Sequence, residues 1–204
     1  MEQINLVYID DTPDPVFSRF LDNLCSLGDH PEYSINYEEI IFPPQQDYEY
    51  LLKHEYVKNA NIIIIDSWLF ENRTATDNRF TGEEFKFVLQ KISPYVEVIV
   101  ISQKQDDDGI YKLSKYSKKS GTSPLDYYNS VARGYIELSI MNIIQNRKLA
   151  KKLSDNNTWE ALLKERVLGT LSGTQNYDEL KKEDIDKLIS AFKEIQEIAN
   201  GGGL

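Results

Sequence analysis

The feature that most constrains this chain is the run Ile62-Ile63-Ile64-Ile65, which follows Asn61 and ends directly at Asp66. Four consecutive β-branched residues lose side-chain freedom in a helix and pack well on a pleated sheet. They do not alternate with polar residues, so the strand they form needs apolar cover on both faces. That is the situation of a central strand in a parallel sheet. A carboxylate closing such a strand lies at the strand's carboxyl end, where open α/β sheets place their ligands.

The flanking sequence supplies the rest of such a sheet. Ile4 to Ile9 is an apolar run that stops at Asp10-Asp11-Thr12-Pro13, Tyr33 to Phe42 is a second strand closed by Pro43-Pro44, and Val96 to Ile101 is another that ends at Ser102. Between them lie helical patterns. From Pro15, the residues Val16, Phe17, Phe20, Leu21, Leu24 and Leu27 recur at three and four, with Gly28 placed to stop the helix. Tyr48 to Val57 and Gly82 to Ile92 read as helices, Gly109 to Tyr116 as the fifth strand candidate, and Pro124 to about Lys152 as a long helical region. Alternation of this kind implies right-handed crossovers and a parallel sheet, with all strand ends facing one crevice.

A length of 204 residues accommodates one main domain with a smaller extension. We expect an α/β domain over residues 1–145 and a helical extension over 146–204, with stretches at Asn157 to Leu168 and Tyr177 to Ala199 before the Gly201-Gly202-Gly203 tail. The faces carrying Trp159, Leu162, Leu163, Leu188, Ile189 and Phe192 read as protein-contact surfaces. A formal net charge of -10 opposes attraction to nucleic acid or anionic lipid, and the extension has no basic face. No apolar run approaches the roughly 20 residues of a membrane span, and Met1-Glu2-Gln3 lacks a secretory signal, so the expected location is cytoplasmic. The single cysteine, Cys25, reads as a small buried hydrophobe, and His30 and His54 have no partners at ligand spacing. Asp106-Asp107-Asp108 reads as a solvated loop.

The strand ends hold Asp10 and Asp11, Asp66, Ser102, and Lys115 in the fifth candidate strand. Carboxylates converging at one edge repel one another unless a cation joins them, and hard oxygen donors favour Mg²⁺. A carboxylate held beside such an ion is a nucleophile for phosphoryl groups, with a hydroxyl and an ammonium nearby to take up charge on the transferred oxygens.

The segments Tyr8-Ile9-Asp10-Asp11, Ile64-Ile65-Asp66, Val100-Ile101-Ser102 and Leu113-Ser114-Lys115-Tyr116 resemble the receiver domains of two-component signalling, over roughly residues 4 to 145. The resemblance implies a flavodoxin-like five-stranded parallel sheet flanked by helices, a Mg²⁺ cofactor and phosphoryl transfer to Asp66. It further implies Asp10 and Asp11 as metal ligands together with Asp66 and the backbone carbonyl of Trp68, Ser102 as the switch hydroxyl, and Lys115 as the phosphate-contacting lysine. Lys118 and Lys119 stand as alternatives for that lysine. Thr81-Gly82-Glu83-Glu84-Phe85 resembles the start of the family's third helix. The implied partners are a sensor kinase or phosphotransfer protein, a downstream protein reached through the helical extension, and a second copy if the chain forms a homodimer.

Two other readings accompany this one. The 66–82 stretch is about twice the family's usual length and carries Arg73 and Arg79, the fourth helix is shortened or lost, and Tyr116 stands where the family has proline. These departures fit a degenerate receiver that serves as a phosphorylation-independent interaction module. Asp10 followed by Thr12 partly resembles the first motif of haloacid-dehalogenase phosphohydrolases, although that motif wants an aspartate at Thr12 as general acid and base.

Overall fold

The computed structural model describes residues 1–26, 31–69, 81–103, 111–118 and 121–155, together with Lys187 and Ser190. Its centre is strand β3, Ile62–Asp66, in which every residue is buried. Strand β1, Glu2–Asp10, lies on one side of it and β4, Glu97–Ser102, on the other. Strands β2, Tyr33–Ile41, and β5, Leu113–Ser114, form the two edges. The five strands are all parallel in the order β2-β1-β3-β4-β5, the flavodoxin-like arrangement that the resemblance implies.

Both faces of this sheet are covered, which explains why the isoleucines do not alternate with polar residues. Val7, Ile9, Ile63, Ile65, Val98 and Val100 belong to one core, packed with Phe85, Val88, Leu89 and Ile92 of helix α4, Gly82–Ile92. Ile4, Leu6, Tyr8, Ile62, Ile64 and Ile101 belong to the other. That second core includes Phe17, Phe20 and Leu21 of α1, Pro15–Ser26, and Tyr128 of α5, Pro124–Val131. It also takes Ile136, Ile140 and Ile143 from α6, Arg133–Asp155. All four isoleucines of β3 are fully buried, and each contributes about 2 kcal/mol by removal from water.

Local signals set the helix ends. Thr81 and Glu84 form a complete capping box at the start of α4. Ser123 accepts the Asp126 N–H ahead of Pro124 at the start of α5.

Three sequence expectations change in detail. The single helix expected over 48–57 is two short helices, α2 at Tyr48–Lys53 and α3 at Glu55–Lys58. His54 takes an extended conformation between them and its ring accepts the Tyr56 N–H, so it ends one helix and caps the next. The fifth strand is two residues long, because pairing to β4 is confined to Leu113 and Ser114. The long helical region is divided at Ala132 into α5 and α6.

Helix α6 crosses residue 145 without a break, and Lys187 and Ser190 are helical and exposed. The expectations for Gly28, His30, Arg73, Arg79, Asp106 to Asp108, the shortened fourth helix and most of the extension lie outside the described residues. No helix among the described residues is long and apolar enough to cross a membrane.

Candidate functional site

Because β1 and β3 are parallel neighbours with Ile9 opposite Ile65, the residues that follow each strand meet at one edge. Pleat parity places the Asp10 side chain in step with Tyr8 and the Asp66 side chain in step with Ile64, on the α1 and α5 side of the sheet. Asp10, Asp11 and Asp66 each present a carboxylate oxygen, and these oxygens lie within 4.8 Å of one another. Asp10 and Asp66 are buried, whereas Asp11 is half-buried.

Lys115 closes the group. It follows β5, and its N–H donates to the Ser102 carbonyl at 2.8 Å, which fixes the backbone from which its side chain departs. Its ammonium lies 2.6 Å from Asp66 Oδ1 and 2.8 Å from Asp10 Oδ2. Lys118 is exposed, and Lys119 lies outside the described residues. Lys115 is therefore the lysine that reaches this pocket among those described.

The two buried carboxylates are held from the protein side as well. Asp10 Oδ1 accepts the Thr12 N–H at 2.9 Å, and Oδ2 accepts the Tyr8 hydroxyl at 2.5 Å in addition to Lys115. Asp66 Oδ2 accepts the Trp68 N–H at 2.9 Å. Trp68 thus engages Asp66 through its amide, in the turn that would present its carbonyl. Ser102 is fully buried at the end of β4, one residue beyond the Asp66 and Ile101 pair and beside Ser67, whose N–H donates to Ile101.

Burial pushes the Asp66 carboxyl above the usual carboxylate range. Lys115 pulls it back in part and Asp10 pushes it further up. Burial also disfavours the Lys115 ammonium, but Asp66 and Asp10 outweigh that effect and hold its pKa above the ordinary lysine value. The Asp66 shift comes first from burial and the Lys115 shift from its two carboxylate partners, and the pocket as a whole holds more carboxylates than ammonium groups among the described residues. A divalent cation answers the same imbalance. Ligands of one Mg²⁺ at about 2.1 Å lie roughly 3 to 4 Å apart, so modest side-chain rotation suits these three carboxylates to a hard cation.

Two features were not picked out from the sequence. Tyr8 sits two residues before Asp10 on the same face of β1, and the period-two pattern alone could have found it. The second is a buried ion pair between Lys112 and Glu83, 2.9 Å apart, in which Glu83 also accepts the Ser67 hydroxyl at 2.6 Å. No sequence period marks that pair, because its partners are joined only by folding. It braces the start of α4 against the turn after Asp66. The same junction explains Gly82: a Cβ there would lie 2.4 Å from the Asp66 carbonyl oxygen, so only glycine allows the helix to start this close to β3.

The fold and the pocket define a flavodoxin-like α/β domain with a buried acidic cluster at the carboxyl edge of its sheet. No family model matches the chain, and no curated protein matches it at a significant level.

Proposed function

We propose that the chain is a receiver-type signalling protein that accepts a phosphoryl group on Asp66 with Mg²⁺ and relays the event through protein contacts. The observation that carries this reading is the meeting of Asp10, Asp11 and Asp66 within 4.8 Å with the Lys115 ammonium against Asp66. Asp10, Asp11, Asp66 and the Trp68 carbonyl would hold the metal, which when bound supplies charge neutralisation for the approach of an anionic phosphoryl group.

The chain's own residues do the remainder. The Trp68 N–H and Lys115 orient the Asp66 carboxylate. One of its oxygens forms the new bond to phosphorus while the bond from phosphorus to the donor breaks, and the leaving group departs with that electron pair. The donor class is a phosphohistidine or a small acyl phosphate, the chemistry of a sensor kinase or phosphotransfer partner. In this reading Lys115 would face the transferred oxygens, and Ser102, at the end of β4, would be the hydroxyl that responds to them.

A specific observation favours the second reading, a phosphorylation-independent interaction module. Asp10 already accepts three protein donors and Lys115 bridges the two buried carboxylates, so much of the pocket's charge is met from within.

Intact mass after incubation with acetyl phosphate separates the two. The receiver reading expects a gain of one phosphoryl mass in wild type that depends on Mg²⁺ and is lost in Asp66→Asn. A gain that persists in Asp66→Asn would show that another residue is the acceptor. No gain in a folded, Mg²⁺-binding wild type leaves the interaction module as the function.

A further inference from the structure

We propose that Tyr8 and Tyr128 are positioning residues of the acidic pocket, linked through Asp14 in a closed ring of hydrogen bonds that couples Asp10 and Lys115 to helix α5. The ring begins at Asp10 Oδ2, which accepts both the Lys115 ammonium and the Tyr8 hydroxyl. The Tyr8 oxygen accepts the Asp14 N–H at 3.5 Å, the longest link. Asp14 Oδ2 accepts the Tyr128 hydroxyl at 2.7 Å, and the Tyr128 oxygen accepts the Tyr116 N–H at 2.9 Å. Tyr116 follows Lys115 in the chain, so the ring returns to the residue from which it started.

Each hydroxyl has a fixed sense in this ring. A carboxylate only accepts and an amide N–H only donates, so both tyrosines must donate to an aspartate and accept from the backbone. Both are fully buried, and Phe17 packs against both rings at centroid distances of 5.1 and 4.7 Å. Burial of both side chains limits competition from solvent for these hydroxyls. Linked donors in such surroundings strengthen one another, so loss of one link is felt at the next.

The position of Asp14 gives the ring its consequence. Its Oδ1 accepts the Val16 N–H and its carbonyl accepts the Ser18 N–H, so it also starts helix α1. A change of charge at Asp10 therefore reaches the first turn of α1, the body of α5 and the backbone beside Lys115, through atoms that touch one another. The inference deepens the pocket reading and rests on it only where Mg²⁺ is the stimulus.

The test uses the isotope-labelled full chain and the variants Tyr8→Phe, Tyr128→Phe and the double variant, which keep the packed rings and remove the hydroxyls. Without metal, Tyr128→Phe is expected to lower protection of the Tyr116 amide against hydrogen exchange by roughly fivefold, the worth of one net hydrogen bond, and Tyr8→Phe to lower it by a smaller but measurable factor through the shared links. The central amides of Ile63 and Ile64 report global stability in the same spectra. Tyr128→Phe is expected to move the carboxyl carbon resonance of Asp10, and the double variant to show less than the sum of the two single effects. Additive effects, or a Tyr116 amide unchanged in Tyr8→Phe, overturn the ring. If Tyr8→Phe does not fold, the Asp10 resonance in Tyr128→Phe decides alone, and its constancy overturns the proposal.

A Mg²⁺ titration forms the second arm. In wild type the Asp10 resonance and the Tyr116 amide are expected to move with one dissociation constant, whereas in Tyr8→Phe the amide moves less than in wild type because only the path through Lys115 remains. An amide shift as large as in wild type counts against the ring. A wild type that ignores Mg²⁺ counts against the pocket reading, while the ring is judged on the metal-free variants.

Discussion

Lys115 joins the two buried carboxylates of the pocket, because its ammonium is the partner of both. Replacing it by Met leaves both charges without that partner and is expected to cost about 3 kcal/mol at neutral pH. The deficit should depend on pH with a definite sign. The folded-state pKa of Asp66 lies above its ordinary value, so ionised Asp66 costs stability above that folded pKa. As pH falls through the raised range toward the ordinary carboxylate value, Asp66 takes up a proton and the cost disappears. Urea denaturation of Lys115→Met and wild type is therefore expected to give a smaller difference at pH 5 than at pH 7. Cys25 offers a second test at this scale. Burial, with help from Asp22, pushes its thiol up to about 11. Its alkylation by iodoacetamide at pH 8 should run roughly tenfold slower than that of a free thiol, since fewer thiolates outweigh the greater nucleophilicity of each. Denaturation of the chain should remove the difference.

The junction of β3 with α4 combines close backbone packing with a buried ion pair at the level of elements. Gly82→Ala places a Cβ against the Asp66 carbonyl oxygen and within 3.2 Å of the Ser67 Cα, and both are backbone atoms that yield only by shifting the turn. We expect a loss of about 1 to 3 kcal/mol in thermal or urea denaturation and, under the pocket reading, weaker Mg²⁺ binding because the displaced backbone carries Asp66. The brace on the other side of that turn gives a sharper test. Lys112→Met alone leaves buried Glu83 without its ion-pair partner, at a cost of about 3 to 5 kcal/mol, whereas adding Glu83→Leu should recover most of that loss. A double variant as unstable as the single one would mean that the pair is held for more than its charge balance. The halves of this junction differ in how visible they were beforehand. Thr81 to Phe85 announce a helix start by their capping box, while the link from Lys112 to Glu83 joins residues that no local pattern relates.

For the molecule as a whole, the acidic pocket is a place where folding has gathered like charges, and it should respond as a unit to their removal. Asp66→Asn relieves part of the repulsion with Asp10 and Asp11, so the variant is expected to unfold at a higher temperature than wild type in the absence of divalent ions. Under the pocket reading, millimolar Mg²⁺ should raise the unfolding temperature of wild type and leave Asp66→Asn nearly unchanged, because a ligand of the native state stabilises only a chain that binds it. Equal ionic strength of NaCl controls for general screening of the net charge of -10.

The sequence by itself determined the strands, their parallel arrangement and the presence of acidic residues at their carboxyl ends. It could do so because β-branched runs, helical periodicity and terminal prolines act over a few residues, and crossover handedness then leaves few arrangements. It also marked Asp10, Asp11, Asp66 and Ser102 as strand-end residues, which a parallel sheet sets along one edge, and it put Lys115 within a fifth strand that in the fold ends just before it. Folding alone decided which atoms those residues touch. Lys115 bridges two carboxylates rather than standing in solvent because the short β5 ends there, and its N–H is tied to the Ser102 carbonyl. His54 divides a helix, Lys112 finds Glu83, and Tyr8 reaches Asp10 while Tyr128 reaches Asp14, since partners distant in sequence are chosen by the packed geometry of two sheet faces. A buried polar group must be satisfied by whatever the fold sets beside it, and only the tertiary structure determines what that is.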